Sequence, residues 1–299
     1  MKILFKYFTS FIIVWIPSII IAQEQDPITQ PLLLLNSKML DDARINVSFT
    51  NSFDLTPEGK ILLSSLNRFY LLGWDEFTPL ESEMQAPIQS FAYTAADVLL
   101  MISGNSLCYL DSLGLPVKLF LLPNNNMGIV AGDNVLYVYD KTKQKNGYAV
   151  YMLQENFSYL KVLELPAPIN AVTEINKNLL FAVKNKICSV NLKNKTIKVL
   201  VQLPKANEKI ISMAYDYGND VLYFSTSDAI YTLKGKQAGC IIGQVGGLIK
   251  CYYNELYVFN PEKKFLISFY INDTLSENTD TGKAVNKNTT KKNTTMMKR

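Results

Sequence analysis

Six segments of the chain carry one short pattern: a Lys, Asp or Asn, then a mostly apolar stretch with Leu at the third position and Leu, Tyr or Phe at the fourth. The copies are Lys60-Ile61-Leu62-Leu63, Asp97-Val98-Leu99-Leu100, Asn134-Val135-Leu136-Tyr137, Asn178-Leu179-Leu180-Phe181, Asp220-Val221-Leu222-Tyr223 and Asn254-Glu255-Leu256-Tyr257. Their starts lie 37, 37, 44, 42 and 34 residues apart. Self-similarity at that period calls for an architecture made of repeated supersecondary units. The apolar runs are short, β-branched and aromatic, and they lack the spacing of an amphipathic helix, which argues against a helical solenoid.

Each copy sits within a longer unit. Upstream lies a strand-like run, as in Ser90-Phe91-Ala92-Tyr93, Ile169-Asn170-Ala171-Val172 and Ile211-Ser212-Met213-Ala214-Tyr215. Downstream come a polar turn and a further strand, starting near Arg68, Ser106, Tyr148, Lys186, Ala229 and Lys264. A fourth run often closes on Leu-Pro, as in Lys118 to Pro123, Lys161 to Pro166 and Lys198 to Pro204. Proline lacks the N–H of a ladder bond and is tolerated where an edge strand ends, so the fourth run is the outer edge. Four strands per repeat make one propeller blade. The sixth repeat has no fourth run, and Arg44 to Phe49, which precedes the first repeat, is expected to supply it. The fold class that follows is all-β, a six-bladed β-propeller over 44–271 whose last blade is closed by an N-terminal strand. On these repeats the chain resembles the six-bladed β-propeller superfamily, of the NHL- and TolB-like type found in secreted and periplasmic bacterial proteins.

The ends differ in composition. Residues 1–22 place Lys2 and Lys6 before an apolar stretch that ends at Ala22, the pattern of a signal peptide. That stretch is too short to span a bilayer as a helix, so export to the periplasm, cell surface or medium is expected, with no transmembrane span after cleavage; an uncleaved N-terminal anchor is the alternative. Residues 23–43 read as a linker. Residues 272–299 form an Asn-, Thr- and Lys-rich basic tail, expected to be disordered. The net charge of +4 comes from the ends: Lys2, Lys6 and six basic residues from Lys283 to Arg299. Without these eight, 22 basic residues face 26 acidic ones. A nucleic-acid partner requires a basic face on the folded body, so none is expected.

The chain contains no histidine. That removes Ser-His-Asp and Cys-His nucleophilic sites and histidine-ligated metals. Cys108 and Cys188 occupy equivalent positions on third strands and read as packing residues. Cys240 and Cys251 fall at different radii of adjacent blades, and no CxxC spacing supports a metal site. Neither a cofactor nor a metal is expected.

In a propeller the links between blades and the turns between second and third strands share one face, where the channel opens. Register along the repeats puts Asn51, Gln89, Asn126, Asn170 and Glu208 near the entries of inner strands, and Asn67, Asn105, Asp140, Asn185 and Asp228 in the turns. Amides donate and accept together, so such a rim can read sugar hydroxyls or peptide groups; the same residue types also serve turns. The longest turn, Asp140 to Gly147 (DKTKQKNG), breaks the regularity with three lysines. The expectation is a non-enzymatic, exported propeller that binds a protein or glycan in the cell envelope. The alternatives are a carboxylate- or calcium-dependent hydrolase or lyase, and a structural subunit of an envelope assembly.

Overall fold

The computed structural model describes residues 32–271 apart from 36, 44, 46–51, 74–75, 133–134, 155–157, 195 and 236. The signal peptide and the basic tail lie outside the described residues. Strand β1 (Leu32–Leu35) and the short helix α1 (Ser37–Asp42) come first. Six antiparallel units of strands follow. Blade 1 is β2–β5 (Phe53–Leu55, Ile61–Ser65, Arg68–Leu72, Phe77–Glu83) and blade 2 is β6–β9 (Ile88–Tyr93, Leu99–Ser103, Ser106–Leu110, Pro116–Leu121). Blade 3 is β10–β13 (Met127–Ala131, Leu136–Asp140, Tyr148–Leu153, Tyr159–Leu165) and blade 4 is β14–β17 (Ala171–Ile175, Asn178–Val183, Lys186–Asn191, Thr196–Gln202). Blade 5 is β18–β21 (Ser212–Asp216, Val221–Ser225, Ala229–Lys234, Gln237–Gly243). Blade 6 is β22–β24 (Leu248–Tyr252, Glu255–Asn260, Phe265–Tyr270), completed by β1 on its outer edge. The fold is a six-bladed β-propeller.

The repeated tetrad falls on the second strand of every blade, and its chemistry follows from that place. A second strand is covered on both faces by neighbouring blades, so it reads as a continuous apolar run instead of an alternating one. Leu62, Leu63, Leu179, Phe181, Tyr223 and Leu256 are buried to within 1%. Each such side chain contributes about 1.5–3 kcal/mol of burial relative to exposure. The core is accordingly a ring of clusters between adjacent blades. Leu62 and Phe69 of blade 1 pack with Phe91, Met101 and Cys108 of blade 2, and the Phe69 and Phe91 rings meet edge to face at 5.0 Å. At the joint that closes the ring, Phe53 of blade 1 meets Phe259 of blade 6 at 5.8 Å.

The closing strand is not the one expected. Leu32–Leu35 pairs antiparallel with β24, matching Leu32 to Ser268 and Leu33 to Ile267, within the segment read as a linker. Of Arg44 to Phe49 only Ile45 is described; it lies outside the strands, buried with Leu40 against the blade 6–blade 1 joint. Four consecutive leucines carry no period-2 signal, whereas RINVSF alternates, so sequence pattern favoured the wrong segment. Cys108 and Cys188 are buried as expected of packing positions, and burial pushes both thiols up. Cys240 and Cys251 are free as well. No helix among the described residues is long and apolar enough to cross a membrane.

Candidate functional site

The inner strands β2, β6, β10, β14, β18 and β22 surround a central channel. Their true register is set by ladder partners on the second strands. Opposite the fourth tetrad residue stand Phe53, Ala92, Val130, Val172, Ala214 and Lys250. Two residues upstream, toward the face that carries the blade links (the upper face), the described residues of the row are Ser90, Gly128, Asn170, Ser212 and Leu248. Of the expected residues Asn170 belongs to it, and Asn51 lies outside the described residues.

The other expected residues are engaged elsewhere. Gln89 falls on the β-bulge between Ile88 and Ser90, which turns it out of the row. Its Nε2 donates to the Gly104 carbonyl at 2.8 Å and its Oε1 accepts from the Met127 N–H. Asn126 is exposed in a left-handed turn at φ 55°. Glu208 accepts from the Tyr231 hydroxyl at 2.8 Å and from Thr226, tying it down over blade 5.

In the turns, the main-chain carbonyls of Asn67, Asn105 and Asn185 accept the N–H of Met84, Leu122 and Leu203, each at 2.9 Å. One bond repeated in three blades is turn chemistry: the asparagine fastens the end of the outer strand. The side chains of Asn67 and Asn185 reinforce it, donating to the Met84 and Leu203 carbonyls at 3.0 and 2.8 Å. Asp140 is fully buried; it accepts from the Ala149 N–H and from Asn124, while burial pushes its carboxyl up. Asp228 is exposed beside Lys263, with Ser227 and Lys263 holding its carboxyl below the usual range. Glu208, Asp140 and Asp228 therefore do not converge on one point. Among the described residues no three His, Cys, Asp or Glu side chains come together in a way suited to a metal ion. The described residues thus offer no cluster of carboxylates of the kind a calcium site requires.

What the fold does bring together is a cavity of about 190 Å³ in the upper half of the channel, walled by inner strands from all six blades. Its polar lining includes Ser52, Tyr139, Lys141, Asn170, Ser212 and Lys250. Lys141, the first lysine of the long blade-3 turn, bends inward and donates from Nζ to the Gln89 carbonyl at 2.7 Å. Burial pushes its ammonium down to about 8 and the neighbouring Tyr139 phenol up to about 12. The Tyr139 ring lies over Gly128, where a Cβ would come within 2.3 Å of it. Asn170 Nδ2 and Ser52 Oγ are buried without a hydrogen-bond partner among the described residues. Ser90 and Ser212 instead stitch blades together, their hydroxyls accepting the N–H of Ile129 and Ile249 at 3.2 and 3.1 Å.

A second cavity of about 350 Å³ occupies the lower half, lined by Asp54, Tyr93, Glu174, Tyr215, Tyr217 and Lys250 among others. Ile129, Val130, Val172 and Met213, with Lys250, border both cavities as a mostly apolar collar. Lys250 pairs with Asp54 at 3.1 Å. Among the described lining residues, every carboxylate of the channel belongs to the lower half. Register by repeat spacing alone missed Lys141, Ser52 and Tyr139. The usable signal was the irregular DKTKQKNG turn, whose departure from the repeat marks the residue that turns inward.

No protein-family model and no curated protein sequence matches the chain. Among solved structures it is similar to a gluconolactonase from Xanthomonas campestris, with a TM-score of 0.62 at 13% identity over 81% of this chain and 89% of that one. It is also similar to a chain of a nidogen/laminin complex, with a TM-score of 0.59 at 12% identity over 71% of this chain and 89% of that one. A third likeness is to the extracellular domain of a B. thetaiotaomicron protein described as a hybrid two-component system, with a TM-score of 0.54 at 15% identity. There the match covers 74% of this chain and 32% of the other, so the chain spans about a third of that structure's length. At such identities the likeness shows the propeller fold. It also corrects the expectation of a chain without enzymatic activity. The same fold, over most of both chains, serves a gluconolactonase, so the fold does not separate a binding propeller from a hydrolase.

Proposed function

We propose that the protein is an exported propeller of NHL- or TolB-like type that binds a protein or glycan partner in the cell envelope through the upper mouth of its channel. The observation that carries this reading is the upper cavity. There Asn170 Nδ2 and Ser52 Oγ are buried without partners, and a buried donor left unsatisfied costs about 1–3 kcal/mol. A ligand that accepts from Asn170 recovers that cost. The likenesses to an extracellular domain and to a nidogen/laminin complex support a propeller working outside the cytoplasm as a recognition module.

A glycan array and binding titrations with Asn170→Ala and Lys141→Met test the reading. A bound glycan or protein lost on these upper-face substitutions supports it. A ligand that survives them and is lost on Tyr217→Ala, in the lower cavity, overturns it. The second reading, hydrolysis of a sugar lactone, is favoured by the likeness to a gluconolactonase along most of both chains. Release of acid from glucono-δ-lactone above the spontaneous rate, abolished by upper-cavity substitutions, would put it first.

A further inference from the structure

The charges of the channel are sorted along its axis. Lys141 and Lys250 line the upper cavity together with Tyr139, Asn170, Ser52 and Ser212, and no acid is among its described lining residues. Asp54 and Glu174 lie beyond the apolar collar. An ammonium has three donors. Lys141 directs one at the Gln89 carbonyl and forms no ion pair with a described residue, while Lys250 has its carboxylate in Asp54. Asn170 Nδ2 adds a buried amide donor without a partner, and Gly128 lets the Tyr139 ring close the wall. A half-buried cation beside an unsatisfied donor, in a pocket whose described lining has no carboxylate, is half of a charge-assisted hydrogen-bonded site.

We infer that the upper cavity is a site for a small hydroxylated monocarboxylate, of the size of a sugar acid or smaller, with Lys141 on the carboxylate and Asn170 and Ser52 on its oxygens. The inference deepens the proposed function and rests on the upper face being the binding face. Size argues for a small acid over a peptide: about 190 Å³ falls below the roughly 300–1,000 Å³ typical of drug-sized pockets. Hydroxyls match the remaining wall, where Ser52 and Tyr139 present hydroxyl groups. The groups facing Lys141 set a pH signature. Burial pushes the Tyr139 phenol up to about 12 and the Lys141 ammonium down to about 8, Lys250 is ion-paired with Asp54, and Asp140 is turned away onto the Ala149 N–H, so the pH signature is carried by Lys141.

The test is calorimetric titration of the full chain with lactate, gluconate and glucuronate, and with the neutral methyl ester of glucuronate. At least one of the three acids is expected to bind, and the ester at least about tenfold more weakly than glucuronate, or not at all, the loss of one charge-assisted bond. Lys141→Met is expected to weaken the acid by at least about tenfold, and raising the pH from 7 to 9.5 to weaken it in the wild type in the same direction. The pH series needs no variant, so it decides the matter even if Lys141→Met folds poorly. Failure of all three acids to bind, equal binding of acid and ester, or affinity that ignores both Lys141 and pH overturns the inference. If the acids fail while an array glycan or protein still binds in an Asn170-dependent manner, the carboxylate site falls and the upper-face reading stands.

Discussion

The two halves of the channel are built from the same six inner strands, a few residues apart, yet they carry opposite chemistry. The upper half holds Lys141 and unsatisfied donors; the lower half holds Asp54, Glu174 and a cluster of tyrosines. The difference lies in which turns supply the extra groups. The upper half borrows from the links between blades and from the long second turn of blade 3. The lower half is filled at the far ends of the inner strands, where Tyr215 and Tyr217 pack edge to face at 4.8 Å and Tyr217 donates to the Glu174 carbonyl. A repeat can hold the scaffold constant while each face acquires its own function, because loops vary without disturbing the ring.

The largest expected effect probes how tightly each half is packed around one strand of blade 3. A Cβ on Gly132, just past β10, would lie 1.6 Å from Glu174 Oε2 and 2.7 Å from its Cδ. Gly132→Ala must therefore move the Glu174 side chain or spread blades 3 and 4, at a cost of about 1–3 kcal/mol in thermal or urea unfolding. Gly128→Ala, on the same strand in the upper half, meets the Tyr139 ring at 2.3 Å and should cost a similar amount while also closing the upper cavity. If both variants melt like the wild type, the two halves are looser than the structure describes.

The next effect separates the halves by pH. Lys141 has a folded-state value of about 8, below the ordinary lysine value, so between about pH 8 and 10 the unfolded chain binds a proton that the folded chain has released. Stability should rise across that window by about 1–2 kcal/mol and then fall above pH 10. There tyrosines such as Tyr93, Tyr137 and Tyr139, raised to about 12 by burial, stay neutral in the fold and ionise in the unfolded chain. Lys141→Met should flatten the rise and leave the fall. Urea midpoints at pH 7, 8, 9, 10 and 11 measure both limbs.

A smaller effect tests the boundary between the halves. Asp54→Asn keeps the shape of the side chain and removes the partner of Lys250 at the collar. Because the lysine side chain is about 36% exposed, water screens the loss, and the cost should stay at or below about 1 kcal/mol. The informative result is in binding. With Lys250 released, the channel gains net positive charge, and the affinity of an anionic ligand should rise.

The scaffold was far more legible in the sequence than the site, for physical reasons that particular residues make plain. Leu62, Leu180 and Leu256 betray the second strands because burial on both faces leaves no freedom in their chemistry. Asn185 looked like a binding residue and is a turn fastener, since an asparagine that binds and one that caps obey the same hydrogen-bond rules. Gln89 was misplaced by a bulge, a one-residue insertion that spacing cannot detect but ladder pairing can. Leu32–Leu35 was missed as the closing strand because a uniform leucine run has no period. Lys141 was within reach: the turn that contains it was visibly irregular, and only its inward direction required the fold.

The smallest expected change concerns Asn170 and distinguishes a residue kept for binding from one kept for folding. Asn185→Ala removes a buried donor that satisfies the Leu203 carbonyl and should cost about 1–3 kcal/mol. Asn170→Ala removes an amide nitrogen that has no partner, so the fold loses no bond made by that nitrogen and sheds its desolvation cost. Its melting temperature should match the wild type or exceed it slightly, while ligand affinity at the upper cavity falls. A residue whose removal leaves stability intact and weakens binding is held in place by the ligand it meets. Equal destabilisation by the two substitutions would mean that Asn170 is one more fastener of the ring, and the upper half would lose its strongest claim to differ from the lower.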